Sequence, residues 1–149
     1  MQLCKENDMK KRTIRVVSCG AKHGKPPEDA DLLIDCRGFE NPHYDPKLRP
    51  QTGAARAVRH FLENSPGVPE MREALTLMLK AWLPGLLTNS RYHLEKDILL
   101  VFKCTGGKHR SRYFTIEARR IVQELISSHP EWEGVRVVIN HRDKTSLEN

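Results

Sequence analysis

The chain has 149 residues, 30% of them charged and 6% aromatic, with a net charge of +6 and a pI near 9.3. That length supports one domain with a modest core and is short for two ordinary ones. No apolar run approaches the ~20 residues of a membrane helix, and the polar N-terminus carries no signal-peptide segment. The basic balance favours anionic partners such as phosphorylated metabolites, phosphoproteins or nucleic acid, although it also reads as a solvated basic surface. The four cysteines (Cys4, Cys19, Cys36 and Cys104) form no C-x-x-C pair. This argues against a zinc site and for a reducing, cytoplasmic compartment. No metal and no cofactor is expected.

Residues 1–12 are read as a flexible tail, with Lys10, Lys11 and Arg12 clustered at its end, and 13–149 as a single domain. Thr13–Cys19 reads as the first strand, rich in β-branched residues. A Gly-Ala-Lys-His-Gly loop follows, and His23 stands in it either as a ligand group or as an ordinary exposed histidine. Asp31–Arg37 reads as a second strand, interior to the sheet because its centre is apolar. Gly38–Gly53 is a long loop with three prolines and the aromatics Phe39 and Tyr44. Loops of this length are usually functional or disordered, and the prolines and aromatics argue for order. Arg37 and Arg49 are within its reach as anion partners or as surface ion pairs.

Ala54–Asn64 reads as a short helix, broken over Pro66–Pro69. Glu70–Leu87 reads as a longer one, with Met71, Leu75, Met78, Leu79, Trp82 and Leu86 at core spacing and Pro84–Gly85 kinking or ending it. Asp97–Phe102 is a buried strand. The stretch Lys103-Cys104-Thr105-Gly106-Gly107-Lys108-His109-Arg110-Ser111 joins it to a helix over Arg112–Ser128. A glycine-bearing loop between a strand and a helix N-terminus aims unpartnered N–H groups at one point, at the positive end of the helix dipole. That is a phosphate or carboxylate site before side chains are counted. Lys108, His109 and Arg110 add donors and charge, and the two glycines permit close backbone approach. Val135–Ile139 is a last strand. It delivers His141 and Arg142 to the same edge if it runs parallel to the strand before Cys104.

The expected architecture is α/β: a small, mostly parallel sheet with helices on its faces and a phosphate-binding loop between strand and helix. Loops rich in Lys, His, Arg and Cys follow three of the four strands. In a parallel sheet they share one edge, where open α/β sheets hold their sites.

Cys104 and Arg110 stand in a C-x5-R arrangement that resembles the phosphate loop of the protein tyrosine phosphatases. In that chemistry a Cys104 thiolate attacks phosphorus, Arg110 clamps the phosphoryl oxygens, and a carboxylic acid protonates the leaving group. Asp35, Asp45 and Asp143 are the candidates for the acid. Cys104 reads equally as a small residue at a tight strand end. His109 is open to protonation by a bound anion or to being held neutral by Arg110.

A second resemblance covers about residues 14–144. Cys-Thr-Gly-Gly-Lys-His-Arg-Ser at 104–111 is similar to the central motif of the C-terminal domain of the RapZ RNase adapter family. Lys22-His23-Gly24 with Asp29-Ala30-Asp31, Asp35-x-Arg37, Asn41-Pro42-His43, Asp45 to Pro50 with Thr52-Gly53, and the closing His141-Arg142-Asp143 agree with it in order. The resemblance implies a regulatory adapter domain that senses an amino-sugar phosphate, glucosamine-6-phosphate, and contacts small RNAs and a partner ribonuclease. It also implies self-association into a homo-oligomer. Carried over by position, the pocket takes His23, Thr105, Gly106, Gly107, His109 and Arg110, with Cys104 at its floor. Lys108 and Ser111 complete the loop, and Arg37, Arg49 and His141 are additional candidates. Full-length members carry an N-terminal nucleotide-binding domain with a G-x-x-x-x-G-K-[ST] loop. This sequence contains no such loop, so it is read as an isolated or stand-alone domain. The scarcity of aromatics argues against stacking of single-stranded RNA.

Overall fold

The computed structural model describes residues 12–88 and 96–143. Four strands, β1 (Thr13–Gly20), β2 (Leu32–Asp35), β3 (Ile98–Cys104) and β4 (Arg136–His141), form one sheet in the order β2-β3-β1-β4. Each neighbouring pair is parallel. Three α-helices accompany them: α1 (Arg56–Glu63), α2 (Val68–Thr88) and α3 (Arg110–Ser127). The chain is therefore α/β with a parallel sheet, as its alternating pattern predicts. Residues 1–11 of the predicted tail lie outside the described residues. Arg12 is buried, and its Nη1 donates to the Leu86 carbonyl at 3.4 Å.

Strand order decides where the helices go. The β2–β3 connection steps one place across the sheet, and the β3–β4 connection steps two places in the same direction, past β1. Right-handed crossovers that step the same way lie on the same face. All three α-helices accordingly share one face of the sheet. Ile14 and Val16 of β1 and Leu100 and Phe102 of β3 join one core with Leu62 of α1, Leu79 of α2 and Phe114 and Val122 of α3. The β1–β2 connection steps the opposite way. It crosses the other face, where Ala30 packs against Val17, Cys19 and Val101.

Three element readings change for local reasons. β2 is an edge strand, not an interior one, and Leu33 is 43% exposed. It stops at Asp35 because the Asp35 carboxylate accepts the Arg37 N–H at 3.0 Å and turns Cys36–Gly38 into a 3-10 turn. α2 starts at Val68, ahead of the predicted Glu70, since a proline in the first helical turn forfeits an N–H that had no acceptor there. The same helix continues through Pro84 to Thr88, whose hydroxyl donates to the Pro84 carbonyl at 2.7 Å. α3 begins two residues early, so Arg110 and Ser111 belong to its first turn.

Candidate functional site

Parallel strands deliver all their C-terminal loops to one edge of the sheet. There the loops after β1, β2, β3 and β4 enclose a cavity of about 420 Å³. Lys22 and His23 come from the first loop, and Asn41, His43, Tyr44 and Arg49 from the second. The third supplies Cys104, Thr105, Gly106, Lys108, His109 and Arg110, and Asp143 comes from the fourth.

The third loop is packed tightly against its neighbours. Gly107 has φ +72°, and a Cβ placed there would lie 2.7 Å from Gly20 N, so only glycine lets these two backbones meet. The Lys22 N–H donates to the Thr105 carbonyl at 3.1 Å, which fixes the first loop to the third. The second loop docks through Gly53, whose N–H donates to the Lys108 carbonyl at 2.8 Å. A Cβ on Gly53 would collide with the His109 carbonyl oxygen and lie 2.6 Å from Tyr113 N. Within the second loop, Asn41 caps the His43 N–H, and Arg49 Nε donates to the His43 carbonyl at 2.8 Å.

The first bond of α3 runs from the Tyr113 N–H to the His109 carbonyl at 3.0 Å. The N–H groups of Arg110, Ser111 and Arg112 therefore have no acceptor within the helix. Arg110 is 4% exposed, and its Nη1 donates to the carbonyls of Arg37 (2.9 Å) and Phe39 (3.0 Å). Its Nε is buried and unpartnered among the described residues. Arg110 thus ties the second loop to the third while lining the cavity. Cys104 is buried beneath, and its Sγ donates to Ser111 Oγ at 3.1 Å.

His109 is buried, with Nε2 unpartnered among the described residues. Burial is the main cause that holds its imidazole below the ordinary histidine range. The Lys108 charge adds to it, and the carbonyls of Gln51, Leu48 and Arg49 oppose it. Asp143 is pushed up by burial. The stronger combined pull of the Arg142 side chain, the Gly20 N–H and the nearby His23 leaves it below the ordinary carboxylate range. It accepts from Gly20 N at 2.7 Å and from Arg142 Nε and Nη2 at 2.9 Å each.

Of the residues singled out from sequence, His23, Arg49, Cys104, Thr105, Gly106, Lys108, His109 and Arg110 line the cavity. Gly107 and Ser111 shape it from behind. Arg37 does not line it, since its guanidinium pairs with Asp35 at 2.7 Å on the surface. His141 also stays out, with Nδ1 2.7 Å from Ser18 Oγ along the sheet. Lys22, Asn41, His43, Tyr44 and Asp143 line the cavity without having been put in the ligand set. Each sits within a loop at a strand's carboxyl end, which is the signal that could have found them. Of the three candidate acids, only Asp143 is at the cavity; Asp35 faces Arg37, and Asp45 caps the Lys47 N–H.

Fold and cavity together define an α/β domain whose site lies outside the carboxyl ends of parallel strands, over the first turn of a helix. The chain belongs to the RapZ C-terminal domain family, whose model matches residues 12–145. It is 38% identical over 132 residues to a nucleotide-binding protein of Psychrobacter sp. (strain PRwf-1), covering 89% of this chain and 39% of that protein. It is 36% identical over 134 residues to one of Shewanella halifaxensis (90% and 43%), and 39% identical over 128 residues to one of Thermobifida fusca (86% and 39%). The chain spans about two-fifths of the length of these curated relatives. Among the described residues, no helix is long and apolar enough to cross a membrane.

Proposed function

We propose that the cavity binds the phosphate of a phosphorylated metabolite of the amino-sugar phosphate class, glucosamine-6-phosphate among them, and that the domain senses this ligand without turning it over. The observation that carries the reading is the convergence of Lys22, Arg49, Lys108 and Arg110 with three histidines on one cavity at the open first turn of α3. Fixed cations and oriented N–H groups in a concave, partly desolvated site favour a multiply charged anion. The family resemblance supports the amino-sugar and adds a cytoplasmic adapter role towards RNA and a ribonuclease, for which the +6 charge is the physical support. The phosphatase reading is favoured by one feature, Cys104 at the cavity beside Ser111. One feature opposes it: Asp143, the carboxyl group among the cavity-lining residues, is held below the ordinary carboxylate range and so lacks the proton a general acid must give.

The test is thermal shift with phosphorylated metabolites against wild type and Lys108→Ala. A ligand at a hundred times its dissociation constant stabilises by ~2.7 kcal/mol, which raises the Tm of a domain this size by roughly 5–10 °C. The reading expects that shift, reduced in the variant, with no phosphate released. No shift with any sugar phosphate would overturn it, and phosphate release would replace it with the phosphatase.

A further inference from the structure

Two thiols meet beneath the cavity. Cys104 ends β3 and lines the cavity, and Cys36 opens the 3-10 turn that follows β2. β2 and β3 are parallel neighbours with Asp35 opposite Lys103, and the next residue of each segment is a cysteine. Neighbouring strands lie about 4.8 Å apart, within the roughly 4.4–6.8 Å that the Cα atoms of a disulfide span. Both cysteines are buried in the core cluster on the helix face of the sheet. Both are free thiols: Cys104 Sγ donates to Ser111 Oγ at 3.1 Å, and Cys36 Sγ to the Ile34 carbonyl at 3.9 Å. Burial pushes the Cys36 thiol well up, and the Cys104 thiol beside it adds to the rise. Cys19 is placed differently. It stands opposite Lys103 and packs with Val17 and Val101 in the separate cluster on the other face.

The pair differs in access. Cys104 borders a cavity of about 420 Å³, roomy enough for a water-sized oxidant, under the first turn of α3, whose free N–H groups favour an anionic sulfur. Cys36 is fully buried behind it. We propose that Cys104 and Cys36 form a peroxide-responsive pair that closes to a disulfide between the ends of β3 and β2. The oxidant is a hydroperoxide. The Cys104 sulfur attacks one peroxide oxygen, the O–O bond breaks, and the other oxygen leaves with the thiol proton, as water when the oxidant is hydrogen peroxide. Cys104 is then a sulfenic acid. Cys36 attacks that sulfur, the S–S bond forms, the S–O bond breaks, and the hydroxyl leaves with the Cys36 proton as water. The two sulfurs together lose two electrons, and the peroxide gains them. The product clamps the cavity floor to the turn whose Arg37 and Phe39 carbonyls hold Arg110, and it removes the thiol donor to Ser111. A thiol reductant reverses it, so in a reducing compartment the bond is transient and reports an oxidant. None of this depends on what the cavity binds.

The test is peptide mapping by mass spectrometry, without reductant, of the folded protein treated with hydrogen peroxide at low protein concentration. A Cys4→Ser background removes the cysteine outside the described residues. The expected result is an intact mass lower by two hydrogen atoms, a Cys36–Cys104 cross-linked peptide, and full reversal by dithiothreitol. Cys36→Ala is expected to stop at the Cys104 sulfenic acid, trapped as its dimedone adduct, while Cys19→Ser keeps the cross-link. A background protein whose Cys104 links to Cys19, goes to sulfinic or sulfonic acid without a cross-link, or stays unmodified under excess peroxide would overturn the proposal. These three outcomes are read without either further variant, so a variant that fails to fold leaves the test decisive.

Discussion

Glu117 on α3 gathers three arginines, and removing its charge is expected to destabilise the fold by about 2–3 kcal/mol. Its side chain is 4% exposed. Arg59 Nη2 of α1 lies 2.6 Å from Oε2, and Arg120 Nη2 and Arg72 Nη1 approach Oε1 at 3.3 and 3.7 Å. The Arg59 bond dominates because Arg59 is 23% exposed and its other terminal nitrogen is buried with no hydrogen-bond partner among the described residues. A hydrogen bond to a charged group in that setting is worth about 1.5–3 kcal/mol. Arg120 and Arg72 are more exposed and add at most a few tenths of a kcal/mol each. Glu117→Gln retains the shape and one carbonyl acceptor, so the loss stays below the roughly 3–5 kcal/mol of a fully broken buried pair. The pH dependence gives an independent check. Burial pushes the Glu117 carboxyl up, but Arg59 and Arg120 outweigh it, and the folded state holds it below the ordinary glutamate value. Its contribution is therefore complete above the unfolded value of about 4.3 and is lost as pH falls through the lower folded value. Urea midpoints of wild type and Glu117→Gln should differ at pH 7 and converge as pH falls below about 4. A gap below about 0.5 kcal/mol at pH 7, or one that persists unchanged at pH 3, would refute the reasoning.

Further outcomes follow from the same structure. Gly53→Ala drives a methyl group into the His109 carbonyl, and overpacking of this kind costs roughly 1–3 kcal/mol; a variant with the wild-type Tm would show that the two loops are not held together there. Pro84→Ala restores a helical N–H within α2 and is expected to raise stability by about 1–3 kcal/mol, measured as an increased urea midpoint; a decrease would mean that the helix needs the proline. His109 is held below its ordinary range by burial, so the unfolded chain binds its proton more readily. Stability should then fall as pH drops below about 6.5 and level off below the folded value. His109→Asn should flatten the Tm profile between pH 5 and 7, and an unchanged slope would assign it to other groups.

Much of the fold could be read along the chain because single elements write their own pattern. The apolar β-branched run of β1, the strand–glycine loop–helix unit around Gly106 and the core stripe of α2 all emerged from spacing and propensity. What escaped was set by neighbours far away in sequence. The apolar centre of β2 suggested an interior strand. Its edge position follows from β3 inserting between it and β1, which no local pattern records. The same insertion puts every helix on one face. Within the cavity, the motif at 104–110 was legible because backbone geometry and side-chain charge coincide in one short segment. Arg37 and His141 carry the right chemistry, but Asp35, two residues away, ties Arg37 to the surface, and Ser18, distant in sequence, holds His141 along the sheet. Asp143 entered only as a candidate acid and as part of the closing motif, since its place at the cavity depends on the Gly20 N–H, far away in sequence.

The strand order has a consequence for synthesis. Among the described residues, β1 pairs with β3 and β4, and β2 with β3, so no two strands before Ile98 are neighbours. All the chain between the end of β1 at Gly20 and the start of β3 at Ile98 must leave the ribosome before the first ladder hydrogen bond can form, on the order of ten seconds at ordinary elongation rates. Throughout that time the valine- and isoleucine-rich β1 segment waits without a partner, the state in which nascent strands aggregate or are held by chaperones. Folding of this domain is therefore gated by the emergence of β3, the same strand that carries the Cys104 loop, so the sheet and the floor of the cavity come into being together.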